Sequence, residues 1–298
     1  MTAGEIYSKT MPFVWAKLLL GLATVAISAA LFGILMGLAW LFNSEGVAVF
    51  MLLVWLGAFG VLRFIIMHYA GYLLKAGHIA VITEAVTTGR IPENQMSYGK
   101  KMVLDRFATA SVYFAVDKLV SAAVKQIQRS VGRLGKTFDF IPGMKSITSL
   151  AQYFVELSLG YIDECCLGYT FYKTDQSVYK SAADGVVIYA QNWKTLLASA
   201  AQTMAMVIGG LAAVTLLLFL VLGLLFRAFA WPGWAAFVLA LLMALAIKSA
   251  FIDSFVLART IVAYMGLAPT TDISYDLYGK LSGLSPKFKE LWQKAEKV

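Results

Sequence analysis

Four apolar runs dominate this sequence, and each is longer than the roughly 20 residues that a helix needs to cross the hydrocarbon core of a membrane. They cover residues 14–42, 47–74, 196–230 and 234–265. Only 14% of the 298 residues are charged, against about 25% in a typical soluble domain. The sequence therefore predicts an all-α integral membrane protein with four transmembrane helices.

The connections between the runs are short within each pair and long between the pairs. Residues 43–46 separate the first two runs, and residues 231–233 separate the last two. Such short connections make consecutive helices antiparallel neighbours. We therefore expect a single membrane domain of two antiparallel hairpins, which flank a helical cytoplasmic region at residues 76–195 and precede a basic cytoplasmic tail at residues 266–298.

Lysine and arginine are concentrated in the long middle region and in the tail, and the two hairpin tips carry almost none. Loops rich in these residues stay on the cytoplasmic side of a membrane. We therefore expect the middle region and both termini on the cytoplasmic side of a plasma or inner membrane. The net charge of +8 reflects this asymmetry, so it indicates contact with a membrane surface rather than with nucleic acid.

The middle region has an apolar stripe at helical spacing across residues 107–131, which Asp117 and Lys118 interrupt. We expect an amphipathic helix here, because the stripe is too polar for a span that faces lipid. Two alternatives remain open for its position. Such a helix either lies in the membrane interface or lines something polar inside an assembly.

Basic residues recur every four positions towards the end of this stripe, at Lys125, Arg129 and Arg133, and Lys136 follows. One alternative is an ordinary solvated face. We favour a face that rests on anionic lipid headgroups, because each basic side chain near such a surface contributes about 1 kcal/mol. The lipid bilayer and its anionic headgroups are therefore the expected partners.

Two of the apolar runs carry ionisable side chains at the same spacing. His68 follows Arg63 by five positions, Asp253 follows Lys248 by five, and 185 positions separate the two pairs. One interpretation is an internal repeat of the hairpin. The alternative is that basic residues gather near the inner membrane surface, where long side chains reach water. Ionisable groups inside a span are candidates for a functional site, so these four residues and Arg259 are transport candidates.

Two segments of the chain resemble the choline transporter-like family. Residues 180–192, KSAADGVVIYAQN, resemble its Ser-Ala stretch before a span, and residues 248–260, KSAFIDSFVLART, resemble its last span with its Asp-Thr pair. Thr260 matches that Thr, but Arg259 replaces the Asp. The order of elements agrees over about residues 50–295. The resemblance implies a related fold core and membrane transport, with Thr260 as a further site residue, and it does not carry over choline as the substrate.

Soluble-enzyme chemistry has no support in the sequence. The chain has only two histidines, its two cysteines are adjacent at Cys165 and Cys166, and no metal-ligand spacing is present. A nucleotide-binding glycine pattern and a nucleophile motif are also missing. We therefore expect that the protein is not an enzyme and that it needs no metal or other cofactor.

Three functions fit these observations. The first, which we favour, is an oligomeric channel or pore for small ions or solutes. Four spans are too few to surround a large pathway, so a symmetric homo-oligomer would supply the rest of its wall. The second is a carrier for choline or a similar small organic cation, which would keep the function of the resembling family. The third is a non-transporting scaffold that is anchored in the membrane and binds anionic lipid.

Overall fold

The computed structural model describes residues 1–107, 110–134, 162–228 and 233–297, and all the regular secondary structure in these ranges is helical. The all-α class is therefore confirmed for this part of the chain. Its α-helices are α1 Ala3–Lys9, α2 Met11–Phe42, α3 Glu45–Ile66, α4 Tyr72–Thr88, α5 Gln95–Phe107, α6 Ala110–Leu134, α7 Ile162–Tyr172, α8 Val178–Ala228, α9 Gly233–Ile247, α10 Asp253–Met265, α11 Tyr275–Leu284 and α12 Pro286–Ala295.

Two π-helical segments interrupt this series. The first, Met67–Gly71, lies between α3 and α4, and the second, Lys248–Ile252, lies between α9 and α10. A π-helix closes its hydrogen bonds over five residues instead of four, and such segments occur most often at functional sites. Each segment is therefore a place where the helix is locally rewound and where a functional site is a reasonable expectation.

Local sequence explains several helix ends. Asn43, with a φ of 45°, and Gly89, with a φ of 72°, adopt the left-handed conformation that stops α2 and α4. At the start of α12 the Ser285 hydroxyl accepts the backbone N–H of Phe288 at 3.0 Å, and Pro286 takes the first helical position. Both features are typical of a helix N-terminus, because they satisfy or remove donors that lack a partner within the helix.

Four helical stretches are long and apolar enough to cross a membrane, namely Met11–Phe42, Glu45–Thr88, Val207–Ala228 and Ala235–Thr270. Each overlaps one predicted apolar run, so the four predicted spans are confirmed as helices of suitable length and composition. Helices α5 and α6, bent by 77°, pass the same test if they count as one broken segment. Residues 231 and 232 of the predicted second turn lie outside the described residues.

The chain divides into two compact units. Unit 1 comprises Met1–Pro12, Lys75–Met206 and Ser254–Val298, and unit 2 comprises Phe13–Leu74 and Val207–Asp253. Most of the predicted apolar runs fall in unit 2, whereas unit 1 contains most of the charged residues of the middle region.

Helix α2 contacts both α3 and α9 in unit 2. The indole N–H of Trp55 on α3 donates to the carbonyl and the hydroxyl of Ser28 at 3.0 and 3.2 Å, and its ring meets Phe32 at 5.1 Å. Gly21 lies against Ala246 of α9 so closely that a Cβ added to the glycine would be 2.9 Å from the alanine Cβ. Small residues allow such close contact between helices in lipid.

The outer surface of unit 2 is apolar. Trp40 and Leu224 are 78% and 73% exposed, and many other large aliphatic side chains of α2, α3, α8 and α9 are also exposed. Apolar surface of this extent is rare on a soluble monomer. A hydrocarbon environment accommodates it, because the helices already satisfy their backbone hydrogen bonds internally.

Two pairs of helices in unit 1 make their closest contacts at glycines. A Cβ added to Gly99 of α5 would be 2.8 Å from the Cα and carbonyl oxygen of Gly77 on α4. A Cβ added to Gly185 of α8 would be 2.9 Å from the Cα of Cys166 on α7. These two pairs of helices therefore approach to backbone contact, which no larger residue permits.

The predicted basic tail contains two helices that pack within unit 1. Phe288 and Leu291 of α12 are fully buried. The side-chain carbonyl of Gln126 on α6 accepts hydrogen bonds from the Ser285 hydroxyl at 3.0 Å and from the Lys287 N–H at 2.9 Å. Helix α12 is therefore docked on α6 by both apolar burial and hydrogen bonds.

The apolar stripe of the middle region is covered by protein where the structure describes it. Val116, Val120 and Ala123 of α6 are fully buried, and Asp117 is buried among them at 2% exposure. Lys118 points outwards. This part of the stripe therefore packs inside unit 1, and the two alternatives for the position of the helix stay open.

Candidate functional site

The fourth candidate span carries an ion pair between Lys248 and Asp253. The Lys248 Nζ lies 2.9 Å from one carboxylate oxygen of Asp253 and 3.1 Å from the other. In an α-helix, residues five apart are rotated by about 140° around the axis, so their side chains diverge. The π-helical segment Lys248–Ile252 brings the two side chains together, and the Asp253 N–H donates to the Lys248 carbonyl across the same turn.

The neighbours of this π segment fix its position in unit 2. Phe251 meets Trp15 of α2 edge to face, with ring centroids 5.5 Å apart, and Ala250 is fully buried. Ile252 lies against Gly210 of α8, where an added Cβ would be 2.7 Å from the isoleucine Cδ1. The residues that the fourth span presents to α2 and α8 therefore depend on the π register.

The ion pair is partly exposed inside an otherwise apolar stretch. The Lys248 and Asp253 side chains are 25% and 32% exposed. One uncompensated charge at the centre of a span costs about 2.5–3.5 kcal/mol on insertion scales, so ionisable residues there are rare and mark functional positions. Pairing reduces this cost while leaving both charges accessible.

The corresponding candidates of the second span are less closely associated. Arg63 is exposed in the last turn of α3. His68 belongs to the first π segment, Met67–Gly71, and its side chain lies outside the described residues. Both predicted pairs thus lie at or beside a π segment, although the two segments are four residues out of register when the Arg63 and Lys248 positions are aligned. The shared π geometry is an additional point of similarity between the two hairpins.

The remaining two transport candidates lie on α10 in unit 1. Arg259 is half-buried. The Thr260 hydroxyl donates to the carbonyl of Val256 one turn earlier, at 2.8 Å, so its donor is used within the helix. Lys248 and Asp253 are the two predicted site residues that the structure brings together in an ion pair.

The predicted headgroup residues lie on or after α6. Lys125 is exposed. Arg129 and Arg133 belong to α6, but their side chains lie outside the described residues, and Lys136 lies outside them entirely. The exposure of Lys125 is compatible with both alternatives, the solvated face and the face on headgroups.

A second polar cluster, in unit 1, was not predicted from the sequence. The half-buried Arg106 guanidinium donates to the carbonyls of Thr170, Lys173 and Gln176 at 2.7–2.9 Å and to the Ser181 hydroxyl at 2.9 Å. Burial lowers the pKa of Arg106 from its ordinary value. One side chain thereby ties α5 to the end of α7, the following loop and the start of α8.

The same cluster continues through Asp184, which is 2% exposed. Its carboxylate accepts hydrogen bonds from Lys180 and, at 2.8 Å, from Gln176. The Lys180 ammonium also contacts the Tyr278 hydroxyl of α11 at 3.0 Å. Burial, with the nearby Asp184 charge as the next cause, raises the pKa of Tyr169 to about 12. A buried acid on an apolar helix, next to a lysine one turn away, is the sequence signal that would have located this cluster.

Residues 180–192, which carry part of the family resemblance, therefore have structural partners. Beyond Ser181 and Asp184, the Gly185 carbonyl accepts the Tyr264 hydroxyl at 3.1 Å. The Gln191 side chain donates to a backbone carbonyl in the connection after α10 at 2.9 Å. This segment joins α7, α8, α10 and the C-terminal helices, so its polar residues stabilise the fold of unit 1.

Two further observations bear on the class of protein. Within the described residues, no group of three or more His, Cys, Asp or Glu side chains is placed to hold a metal ion. Cys165 and Cys166 are buried thiols in the interior of unit 1.

No protein family model, curated protein or solved structure matches the chain. The resemblance to choline transporter-like proteins therefore stays a prediction.

Proposed function

We propose that the protein is a membrane transport protein that works as an oligomeric channel or pore for small ions or solutes. The observation that supports this most is the Lys248–Asp253 ion pair, because a partly exposed pair of charges inside an apolar span is retained where polar solutes pass. The pair offers one charge of each sign to an ion in transit. The solutes it fits best are small and charged.

In this proposal the four spans form two antiparallel hairpins, with both termini and the middle region in the cytoplasm. The apolar outer surface of unit 2 provides area for contact with lipid and with further copies of the chain. A symmetric homo-oligomer would then place Lys248 and Asp253 of each copy around one axis. Arg63 and His68 of the same unit would contribute to the inner mouth, where a ring of basic side chains favours anions.

In this proposal the π segment Lys248–Ile252 acts as the gate. Conversion of residues 248–252 to an α-helix rotates one side of the break against the other by about 100°, the turn per residue of an α-helix. The ion pair cannot survive this rotation, because its two side chains would then point in different directions. A closed state would hold Lys248 and Asp253 together, and an open state would free both charges for a passing ion.

Reconstitution of the full chain in liposomes tests the proposal. We expect a flux of chloride, potassium or choline, measured with ion-selective dyes or radiolabelled solute. Lys248→Gln should lower anion flux relative to cation flux, and Asp253→Asn should do the reverse. Arg227→Gln, which removes a charge from the far end of α8, is the matched control and should leave selectivity unchanged. Absence of flux from intact assemblies, for all three solutes, would overturn the proposal.

The same liposomes distinguish a channel from a carrier. A relation to choline transporter-like proteins would favour the carrier. Uptake of choline that saturates and that an analogue competes would favour the carrier. Currents that increase linearly with concentration over the same range would favour the channel.

A non-transporting scaffold is the second candidate function, and the exposed Lys125 of α6 favours it. A scaffold binds anionic lipid through such residues and passes no solute. Assembly of the Lys248→Leu/Asp253→Leu variant as in the wild type, together with absence of flux from both proteins, would support the scaffold over the channel.

A further inference from the structure

The exposed face of α5 combines basic and apolar side chains. Met96 and Leu104 are 39% and 40% exposed. Lys100 lies four residues from each of them, and Lys100 and Lys101 are both exposed. Residues four apart are neighbours on a helix surface. Lysines between exposed apolar residues are typical of helices that lie in the plane of a membrane interface.

The opposite face of α5 is fixed inside unit 1, so this orientation is set by the fold. Gly99, Val103 and Phe107 are buried against the neighbouring helices. Near its start the Tyr98 hydroxyl donates to the Glu84 carboxylate at 2.9 Å. Near its end the Arg106 cluster holds the helix, so α5 presents its outer face as a rigid platform.

Helix α5 contacts residues close to the ends of the first two apolar runs, which places it near the membrane surface. The Gln95 amide donates at 2.7 Å to the carbonyl of Lys9, two residues before the first candidate span begins. Gly99 contacts Gly77, three residues after the second apolar run ends at residue 74, or about 5 Å along an α-helix. Helix α5 thus contacts the chain just before its first candidate span and just after its second apolar run.

The lysines of this face are available for an anionic partner. In the part of the chain that the structure describes, no ion pair involves Lys100 or Lys101. Asp105 is the one acidic residue on the outer face of α5. The face therefore carries excess positive charge next to apolar surface.

We propose that the outer face of α5 docks on the anionic headgroups of the inner leaflet, with Met96 and Leu104 inserted at the acyl boundary and Lys100 and Lys101 on the phosphates. This surface differs from the basic series on α6. It also stands independently of transport, because a channel, a carrier and a scaffold would all use it to hold unit 1 against the membrane.

Native mass spectrometry of the full chain in detergent tests this docking. The micelles contain either phosphatidylglycerol or phosphatidylcholine, and the number of lipids retained per chain is counted. We expect the wild type to retain phosphatidylglycerol in preference. The Lys100→Gln/Lys101→Gln variant should lose about 30-fold in that preference, since two basic contacts of about 1 kcal/mol each are removed.

The matched control is Lys289→Gln/Lys297→Gln, which removes the same charge from exposed positions after α11. It should retain the wild-type preference. A second variant, Met96→Gln/Leu104→Gln, should weaken retention of both lipids alike, because it removes only the apolar contacts. Equal loss of preference in the two lysine variants would show a general effect of net charge, and it would overturn the proposed site.

Discussion

Lys248 and Asp253 are five residues apart, and they form an ion pair because the helix between them is wound as a π-helix. The backbone hydrogen bond from the Asp253 N–H to the Lys248 carbonyl and the 2.9 Å side-chain contact span the same turn. Each stabilises the other, since a return to α-helical winding would separate both. The ion pair and the local winding of the fourth span are therefore one structural feature.

The first prediction is that either neutral substitution weakens this turn. Asp253→Asn and Lys248→Gln should each lower the free energy of unfolding by about 1 kcal/mol, because each leaves one partly sheltered charge without its partner. Denaturant unfolding in nanodiscs measures the effect. The double variant should lose less than the sum of the two single losses, which is the coupling that a direct contact produces.

The exchanged pair Lys248→Asp/Asp253→Lys is the control for this prediction. It reverses both charges and keeps their spacing, so it should recover most of the lost stability. Additive losses in the double variant, with no recovery in the exchanged one, would show that the two side chains do not interact.

The second prediction concerns Arg106, whose guanidinium reaches three carbonyls and one hydroxyl. Arg106→Lys keeps the charge but cannot reproduce the planar fork, so buried carbonyls lose their donor. We expect a loss of about 2–3 kcal/mol in the free energy of unfolding. Arg90→Lys, at an exposed position, should change it by less than about 0.5 kcal/mol. Similar small effects at both positions would contradict the role assigned to the cluster.

The spans could be predicted because they depend on a local property. A run of apolar residues long enough to cross a membrane is visible in the sequence alone, and all four runs are helical where the structure describes them. The positions of the charged residues within these runs could also be identified from the sequence. The spacing of Lys248 and Asp253 was visible too, but ordinary α-helical geometry separates these side chains.

The π segment and the docked C-terminal helix depend on contacts between distant residues. Phe251 packs on Trp15 and Ile252 on Gly210, and no single stretch of sequence contains these pairs. The Gln126–Ser285 hydrogen bond joins residues 159 positions apart. Composition marked the tail as basic, although its buried apolar positions at helical spacing were a signal for packing. Local patterns identify a helix, but they do not identify its partner.

The third prediction uses the close approach of α5 and α4. Gly99→Ala places a methyl group 2.8 Å from the backbone of Gly77, where neither helix has a flexible side chain that can move away. We expect a loss of about 1–3 kcal/mol in the free energy of unfolding, as for overpacked cores. Gly279→Ala on α11, where nothing lies within 4 Å, should be neutral or stabilising by up to about 1 kcal/mol. Two equal effects would contradict the close contact.

The fourth prediction is that α12 depends on Phe288 for its docking on α6. Phe288 is fully buried, so Phe288→Ala should cost about 3–5 kcal/mol and release the helix. Limited trypsin digestion detects the release, because trypsin cleaves after the lysines of α12 much faster once the helix has left its packed position and unfolds. Gln293→Ala, on the exposed side of the same helix, should leave the digestion rate at its wild-type value. Unchanged digestion of the Phe288 variant would show that the hydrogen bonds of Gln126 suffice to hold α12.

The last prediction follows from the hydrogen bond between the Tyr98 hydroxyl and the Glu84 carboxylate, 2.9 Å long. Burial, and secondarily this hydrogen bond, raises the pKa of Tyr98 to about 12 from its ordinary value near 10. A phenol with a raised pKa stabilises the fold fully below pH 10, the value for the unfolded chain. That contribution is lost as the pH rises from about 10 to about 12.

Tyr98→Phe should therefore be less stable than the wild type at pH 8, by about 1 kcal/mol for the lost hydrogen bond. The difference should shrink between pH 10 and pH 12, because Tyr98 ionises in the unfolded wild-type chain over this range while the folded phenol stays protonated, which favours unfolding of the wild type alone. Unfolding curves of both proteins over this range measure the difference, and the other tyrosines cancel in it. Tyr275→Phe, at an exposed position, controls for loss of a hydroxyl. A difference for Tyr98→Phe that stays constant up to pH 12 would mean that the fold does not raise the pKa of Tyr98 above its value in the unfolded chain.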